Sequence, residues 1–242
     1  MYGGRTGRLP SAPEFADNRR LAALVSSPYQ FKAGPYSSHT LVLDSLPAEG
    51  HGRRLLDVGC AVGYLAEVLA TRGFRVTGMD RCEPAGDRSF DFVEANLDGR
   101  LPPLGGRFAF IVCADVLEHL CDPLGFLQQL RILLEPDGKL VASLPNSGHA
   151  YFRWNVLLGR FPAHDRGLFD RTHLHFYTWD GWVDLFRAAG FRIKDVKVTG
   201  VPLALALPGW NARCTGFLER ILFDLARAWK KMFAYQFIVT AE

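Results

Sequence analysis

The 242-residue chain is defined first by what it lacks. No uninterrupted apolar run reaches the ~18–20 residues of a membrane-spanning helix. Neither sign of charge dominates: 28 Lys and Arg face 25 Asp and Glu, a net charge of +3, too small a surplus to argue for a nucleic-acid partner. Cysteine is scarce. The five residues, Cys60, Cys82, Cys113, Cys121 and Cys214, form no CxxC pair, which argues against a zinc ribbon or a disulfide scaffold and fits reduced thiols in the cytoplasm. Residues 1–20 are polar and interrupted by Pro10 and Pro13, unlike a signal peptide. Internal repeats and low-complexity tracts are absent. So is the Gly-x-Gly-x-x-Gly spacing of a dinucleotide site, because Ala61 and Tyr64 stand where it needs glycine.

What is present is a strand–loop–helix–strand unit. Residues 54–58 read as a short buried strand, and residues 64–72 as a helix with Leu65, Val68 and Leu69 on one face. Residues 74–79 read as a second strand that ends at Asp80. Between strand and helix lies Asp57-x-Gly59-x-x-x-Gly63. Glycines there let a ligand approach the backbone, and the second acid can bind a ribose. A carboxylate two residues before the first glycine would repel a pyrophosphate. It suits a ligand with an ammonium group and no phosphate, as in S-adenosylmethionine.

The run Asp57-Val58-Gly59-Cys60-Ala61-Val62-Gly63 resembles the first motif of the class I S-adenosylmethionine-dependent methyltransferases, usually Asp-Val-Gly-Cys-Gly-x-Gly. The departure is Ala61, where a positive φ would be strained. The resemblance covers residues 50–200 and the final strand. It implies an α/β, Rossmann-like fold: a seven-stranded, mostly parallel sheet with an antiparallel last strand and helices on both faces. It implies S-adenosylmethionine as cofactor, held by Asp57, Gly59, Cys60, Ala61, Gly63 and Asp80, with Asn96, Leu97, Ala114 and Asp115 at later strand ends. For Asn96 and Asp115, simple loop capping is the competing reading.

Further strands are expected at 90–94, 108–113, 139–144, 191–199 and 235–240, and helices at 123–134 and 179–189. The last strand is expected between the fifth and sixth. Residues 1–45 read as a flexible segment and helical cap, in which Tyr29 and Tyr36 either cover the cofactor or pack on the core. Residues 46–242 read as the catalytic domain, interrupted by a lid insertion at 145–177 and a helical insertion at 201–233.

Two clusters bear on chemistry. Asp115-x-x-Glu118-His119 resembles the Glu-x-x-Glu-His pattern of ubiquinone-pathway O-methyltransferases and small-RNA 2′-O-methyltransferases. Asp170-Arg171-Thr172-His173-x-x-Phe176-x-Thr178 resembles a bacterial subgroup linked to glycan or secondary-metabolite pathways. His119 and His173 are the candidate catalytic residues. His119 has the chemistry of a base near neutral pH, with loop orientation as the alternative. Either His173 or His175, or both, would face the pocket. By the same resemblance a divalent metal on Asp115, Glu118, His119 and His173 is conceivable but not favoured.

The expected acceptor is a small molecule, most readily a hydroxyl oxygen. N-methylation and a non-catalytic scaffold are the rivals. In the insertion, Tyr151, Phe152, Arg153, Trp154, Arg160, Phe161 and Arg166 either stack on a substrate or form a small lid. Residues 217–233 form an amphipathic helix with Leu218, Ile221, Leu222, Leu225 and Trp229 on one face and Arg220, Arg227, Lys230 and Lys231 among the polar residues. Packing on the domain is favoured for it over contact with a membrane surface.

Overall fold

A computed structural model describes residues 34–203 and 212–242, with the side chains of 212–214 excepted. The expectations for residues 1–33, Tyr29 among them, and for most of the Pro-rich stretch 201–211 lie outside the described residues.

The elements are α1 (Ser38–Leu43), β1 (Arg54–Val58), α2 (Tyr64–Thr71), β2 (Arg75–Asp80), β3 (Asp91–Glu94), β4 (Phe108–Ala114), a 3₁₀ turn (Leu117–His119), α3 (Pro123–Leu133) and β5 (Leu134–Pro145). They continue with α4 (Ala150–Leu157), α5 (Trp179–Ala188), β6 (Ile193–Val198), α6 (Ala212–Ala228), α7 (Lys230–Phe233) and β7 (Gln236–Ala241). The strands form one seven-stranded sheet in the order β3-β2-β1-β4-β5-β7-β6. The first five are parallel, while β7 runs antiparallel to both β5 and β6.

Continuous apolar runs place β1 and β4 in the centre, where both sheet faces are covered. Side chains alternate across the pleat. Leu56, Val58, Ile111 and Cys113 therefore meet Phe126 and Leu130 of α3 and Trp182 and Phe186 of α5. Leu55, Phe110 and Val112 meet Leu41 and Val42 of α1 and Leu65 and Leu69 of α2. Trp182 is buried and donates its indole N–H to the Pro145 carbonyl at 2.9 Å, which ties α5 to the end of β5.

Three boundaries differ from the sequence expectation. The Glu135–Gly138 turn does not separate helix from strand, because Leu134 already pairs with Phe108; Lys139 then pairs with Phe110, and the turn residues bulge between. The last strand pair is completed by Arg192 and Glu242, whose backbones exchange two hydrogen bonds beyond the start of β6. The tail helix begins earlier than residue 217 and breaks at Trp229 (φ −140°), giving α6 and α7. Its small residues Thr215 and Ala226 are buried, while Phe217, Leu218, Ile221, Leu225 and Trp229 remain exposed. Among the described residues nothing covers these five side chains. Among the described residues no helix is long and apolar enough to cross a membrane.

Register is what positions the site. Val58 lies opposite Met79 on β2 and opposite Cys113 on β4. The chain therefore leaves β1, β2 and β4 at one level, at the carboxyl edge where ligands of open α/β sheets bind.

Candidate active site

The loop after β1 is built for close approach. Gly59 (φ 68°) and Cys60 both donate to the Met79 carbonyl, at 2.8 and 3.3 Å, and Gly63 (φ 84°) donates to the Cys60 carbonyl at 2.8 Å. A Cβ on Gly59 would lie 2.5 Å from Val116 Cγ2, and one on Gly63 would lie 2.7 Å from Phe90 Cζ, so neither position admits a side chain without movement. Ala61, where the resemblance predicts glycine, has φ 49°. A left-handed alanine costs roughly 1–2 kcal/mol. Its N–H donates to Asp80 Oδ2 at 2.8 Å, which holds that conformation. Asp80 Oδ1 accepts from Arg81 N at 2.6 Å, so the carboxylate is fixed at the loop's rim.

Asp57 lies beneath the first turn of α2 and is 2% exposed. Burial pushes its carboxyl up to about 7, against the lowering effect of a hydrogen bond from the Ala66 backbone and with a further push from Asp80. Among the described residues its Oδ2 has no hydrogen-bond partner. A buried acceptor left open is costly, and a donor supplied by a ligand would satisfy it. Burial likewise pushes the Cys60 thiol far up, which leaves it inert as a nucleophile.

At the end of β3, Asn96 is exposed and accepts the Asp98 N–H on Oδ1 at 3.2 Å, the capping geometry foreseen as its alternative role. Leu97 is turned into the core. Asp98 was not singled out by its sequence context. Its Oδ1 accepts the Cys121 N–H and its Oδ2 accepts from Arg81 Nη2, both at 2.7 Å, so it joins the loops after β2, β3 and β4.

A polar cluster faces this loop from the end of β4. Beyond Ala114, Asp115 adopts φ 56°. Its Oδ1 accepts from Gln236 Nε2 at 2.7 Å and from the Ser143 hydroxyl. Glu118 is buried, and its carbonyl accepts from the Leu174 and His175 N–H groups at 2.8 and 3.2 Å, which clips the later segment onto this loop. His119 Nδ1 lies 3.1 Å from both the carbonyl and the hydroxyl of Thr172, and that hydroxyl donates to Asp170 Oδ1 at 2.6 Å. A carbonyl only accepts, so Nδ1 is the donor of this contact and Nε2 is the ring nitrogen left for a ligand. The rings of His119 and His173 meet edge to face with centroids 4.8 Å apart. His173 Nε2 stands 3.9 Å from Glu118 Oε1. Burial, with His119 adding to it, pulls His173 down to about 4 against Asp170 and Asp115, so it is neutral at neutral pH.

Ligand atoms of Glu118, His119 and His173 all lie within 4.8 Å of one another. Asp115 is not in that group, which corrects the four-ligand expectation: its carboxylate is taken up by β5 and β7 instead. His175 also departs, since its Nε2 meets the Leu120 carbonyl at 2.9 Å and its ring stacks on Tyr177. Gln236 and Ser143, which hold Asp115, are positions that sequence reasoning missed. The one available signal was Gln236, a polar residue opening an otherwise apolar last strand.

A glycine loop between two acid-bearing strand ends, on a parallel sheet closed by an antiparallel seventh strand, defines the class I S-adenosylmethionine-dependent methyltransferase architecture. The family described as the methyltransferase domain matches residues 32–196, and the chain belongs to it. Among curated proteins it is 33% identical over 164 residues to the ubiquinone biosynthesis O-methyltransferase of Cereibacter sphaeroides strain ATCC 17029, covering 63% of this chain and 66% of that one. It is 26% identical over 158 residues to the enzyme of the same name from Pseudomonas aeruginosa strain PAO1, covering 60% and 67%. The chain thus spans just under two thirds of the first of these relatives. Among solved structures it resembles the 1,6-didemethyltoxoflavin-N1-methyltransferase of Burkholderia thailandensis, solved with S-adenosylhomocysteine (TM-score 0.57, 17% identity, 96% and 92% covered). It also resembles an S-adenosylmethionine-dependent methyltransferase from Mesorhizobium loti (TM-score 0.56, 19% identity, 85% and 97% covered). At these identities the structural likeness is one of fold.

Ala61→Gly should relieve the left-handed strain and stabilise the protein by about 1 kcal/mol, after allowing for the freer unfolded chain. A urea-unfolding midpoint that falls on this substitution would show that the loop does not hold Ala61 under strain.

Proposed function

We propose that the protein transfers a methyl group from S-adenosylmethionine to a hydroxyl oxygen of a small-molecule acceptor. The observation that carries this reading is the juxtaposition at one sheet edge of a ligand cradle with an open buried acceptor, Asp57 Oδ2, and a histidine pair, His119 and His173, at the end of β4. Bound S-adenosylmethionine supplies an electrophilic methyl group on a positively charged sulfur.

The residues of the cradle bind and orient. Asp57 favours the ammonium end, the backbone of Gly59, Cys60, Ala61 and Gly63 lines the approach, and Asp80 accepts from the ribose hydroxyls. Asn96 and the backbone of Leu97 border the base, with the Asn96 amide nitrogen toward its edge. Ala114 and Asp115 border the reacting centre. His119 takes the acceptor's hydroxyl proton on Nε2, while the Thr172 carbonyl holds the tautomer and the position of the ring. His173, kept neutral, flanks it.

The connection 146–178 acts as the lid of the acceptor side. Its own small core stacks Phe152 on Phe169 at 4.4 Å, and the backbone bonds to Glu118 tie its end to the catalytic loop. Exclusion of water by such a cover favours a displacement at carbon. The O-methyltransferase names of the curated relatives support an oxygen acceptor. The four described cysteines are free thiols, in keeping with a cytoplasmic place of action.

The Glu118–His119–His173 cluster favours a second form of the same reaction. One carboxylate and two imidazoles are a donor set for a divalent transition ion, which would lower the pKa of a bound hydroxyl.

The pH dependence of cofactor affinity follows from Asp57. Its folded-state pKa is raised, so between the ordinary carboxylate value of 3.8 and about 7 the free folded protein holds a proton that the unfolded chain has lost. This group therefore weakens folding as pH rises through that window. A bound ammonium favours the carboxylate, so affinity for S-adenosylmethionine should rise about tenfold between roughly pH 6 and 8, with proton release measurable by calorimetry in buffers of different ionisation enthalpy. Equal affinities and no proton transfer would remove Asp57 from ammonium recognition.

Acceptors are found by screening phenols, catechols and sugars against amines for S-adenosylhomocysteine release. His119→Ala should lower that release by about 100-fold or more with little change in S-adenosylhomocysteine affinity. Full turnover in this variant would refute the base. Loss of turnover in chelator, restored by Mn²⁺ or Zn²⁺, is expected only of the metal-assisted form.

A further inference from the structure

The tail helices present an apolar side that no described part of the chain covers. On the 3.6-residue repeat, Phe217, Ile221 and Leu225 follow one another at i, i+4, with Leu218 and Trp229 beside them. Their exposures are 70%, 40%, 41%, 39% and 57%. The helix is anchored through its other side, where Thr215 and Ala226 are buried and Phe223 stacks on Tyr36 with ring centroids 4.1 Å apart. The large apolar residues are thus not spare core. In sequence, the run Val201 to Trp210 that precedes the helix has no charged residue.

Beside this apolar side lies a cavity of about 720 Å³ between α6–α7, β6 and α1. Its lining carries Lys197, Arg227, Lys230 and Lys231, together with apolar residues such as Leu41 and Phe223, and no acid among the described residues. Lys231 is paired with Asp180 at 2.8 Å. Lys197 Nζ donates to the Asp44 carbonyl at 2.7 Å, and Lys230 Nζ sits 4.1 Å from the centre of the Trp179 ring. Those two partners are uncharged, so neither cation is neutralised. Arg220 and Arg227 add positive charge along the flank of α6, with Asp224 between them.

We propose that α6 and α7 dock the protein on an anionic lipid bilayer. Phe217, Leu218, Ile221, Leu225 and Trp229 enter the interface, and the cationic groove takes lipid phosphates. An apolar stripe with cations along its edge is the design of an interfacial helix, and Trp229 at its end has the side chain most at home at that depth. The charge pattern decides against a second copy of the chain as the occupant. A two-fold contact on this side would bring two surfaces of the same sign together, since Arg220, Arg227 and Lys230 outnumber Glu219 and Asp224 on each copy. A bilayer surface carries the opposite charge and meets both features at once.

The test uses the full chain without cofactor or acceptor, so its result stands apart from the methyl-transfer reading. Co-sedimentation is measured with vesicles of phosphatidylglycerol and phosphatidylcholine, and with phosphatidylcholine alone. Binding is expected to the anionic vesicles, weakened by high salt, and at least about tenfold weaker to the neutral ones. Arg227→Glu should lower the anionic-vesicle partition about fivefold or more, and Phe217→Glu should abolish it. Both side chains are exposed, and circular dichroism reads whether each variant is folded; the wild-type comparison of the two vesicle types stands without them. Sedimentation with neither vesicle type, or equal binding to both, overturns the proposal. So does self-association by light scattering that Phe217→Glu removes in the absence of vesicle binding, which would make a second copy the occupant.

Discussion

The hydrogen bond from the Ala61 N–H to Asp80 Oδ2 joins the end of β1 to the end of β2 and sets the shape of everything between them. It keeps an alanine at positive φ and orients the carboxylate at the rim, beside Gly59 and Gly63, which Val116 and Phe90 leave with no room for a side chain. Removing glycine from the middle of such a loop is tolerable because the bond to Asp80 works against the left-handed strain. The result is a pocket floor made of backbone, above a buried Asp57 whose second oxygen awaits a donor.

The opposite wall is organised by the same means, backbone groups holding side chains in place. Glu118 serves through its carbonyl, which holds the segment of His173, and Thr172 serves through its carbonyl, which sets the tautomer of His119. The two histidines come from separate loops and meet because these bonds clip one loop to the other. Asp115 is fixed from β5 and β7 through Ser143 and Gln236, so the antiparallel last strand contributes to the site as well as to the sheet.

Much of this was legible in the sequence where the signal is local. The periodicity of residues 54–80, the Asp57–Gly63 spacing and the apolar runs of β1 and β4 give the parallel core and its ligand edge. The motif around Asp115–His119 and the later His173 mark the two segments that form the second cluster. What escaped depends on register across distant strands. Nothing local says that Gln236 will stand beside Asp115, or that Asp98 will bridge three loops. The four-ligand metal set that the resemblance implied loses Asp115 for that reason: its neighbours in space are not its neighbours in sequence. The tail helix shows the same limit. Its amphipathic pattern was clear, but whether the apolar side would be covered depended on which residues met the sheet, and the small ones did.

The central claim is that Asp80 and the glycine loop hold the methyl donor. Titration calorimetry of S-adenosylhomocysteine into the wild type and Asp80→Ala tests it most directly. Loss of the ribose contact proposed for the Asp80 carboxylate should weaken binding by about 100-fold, while the variant stays folded by circular dichroism. A folded variant with unchanged affinity would place the donor elsewhere and contradict this assignment of the site.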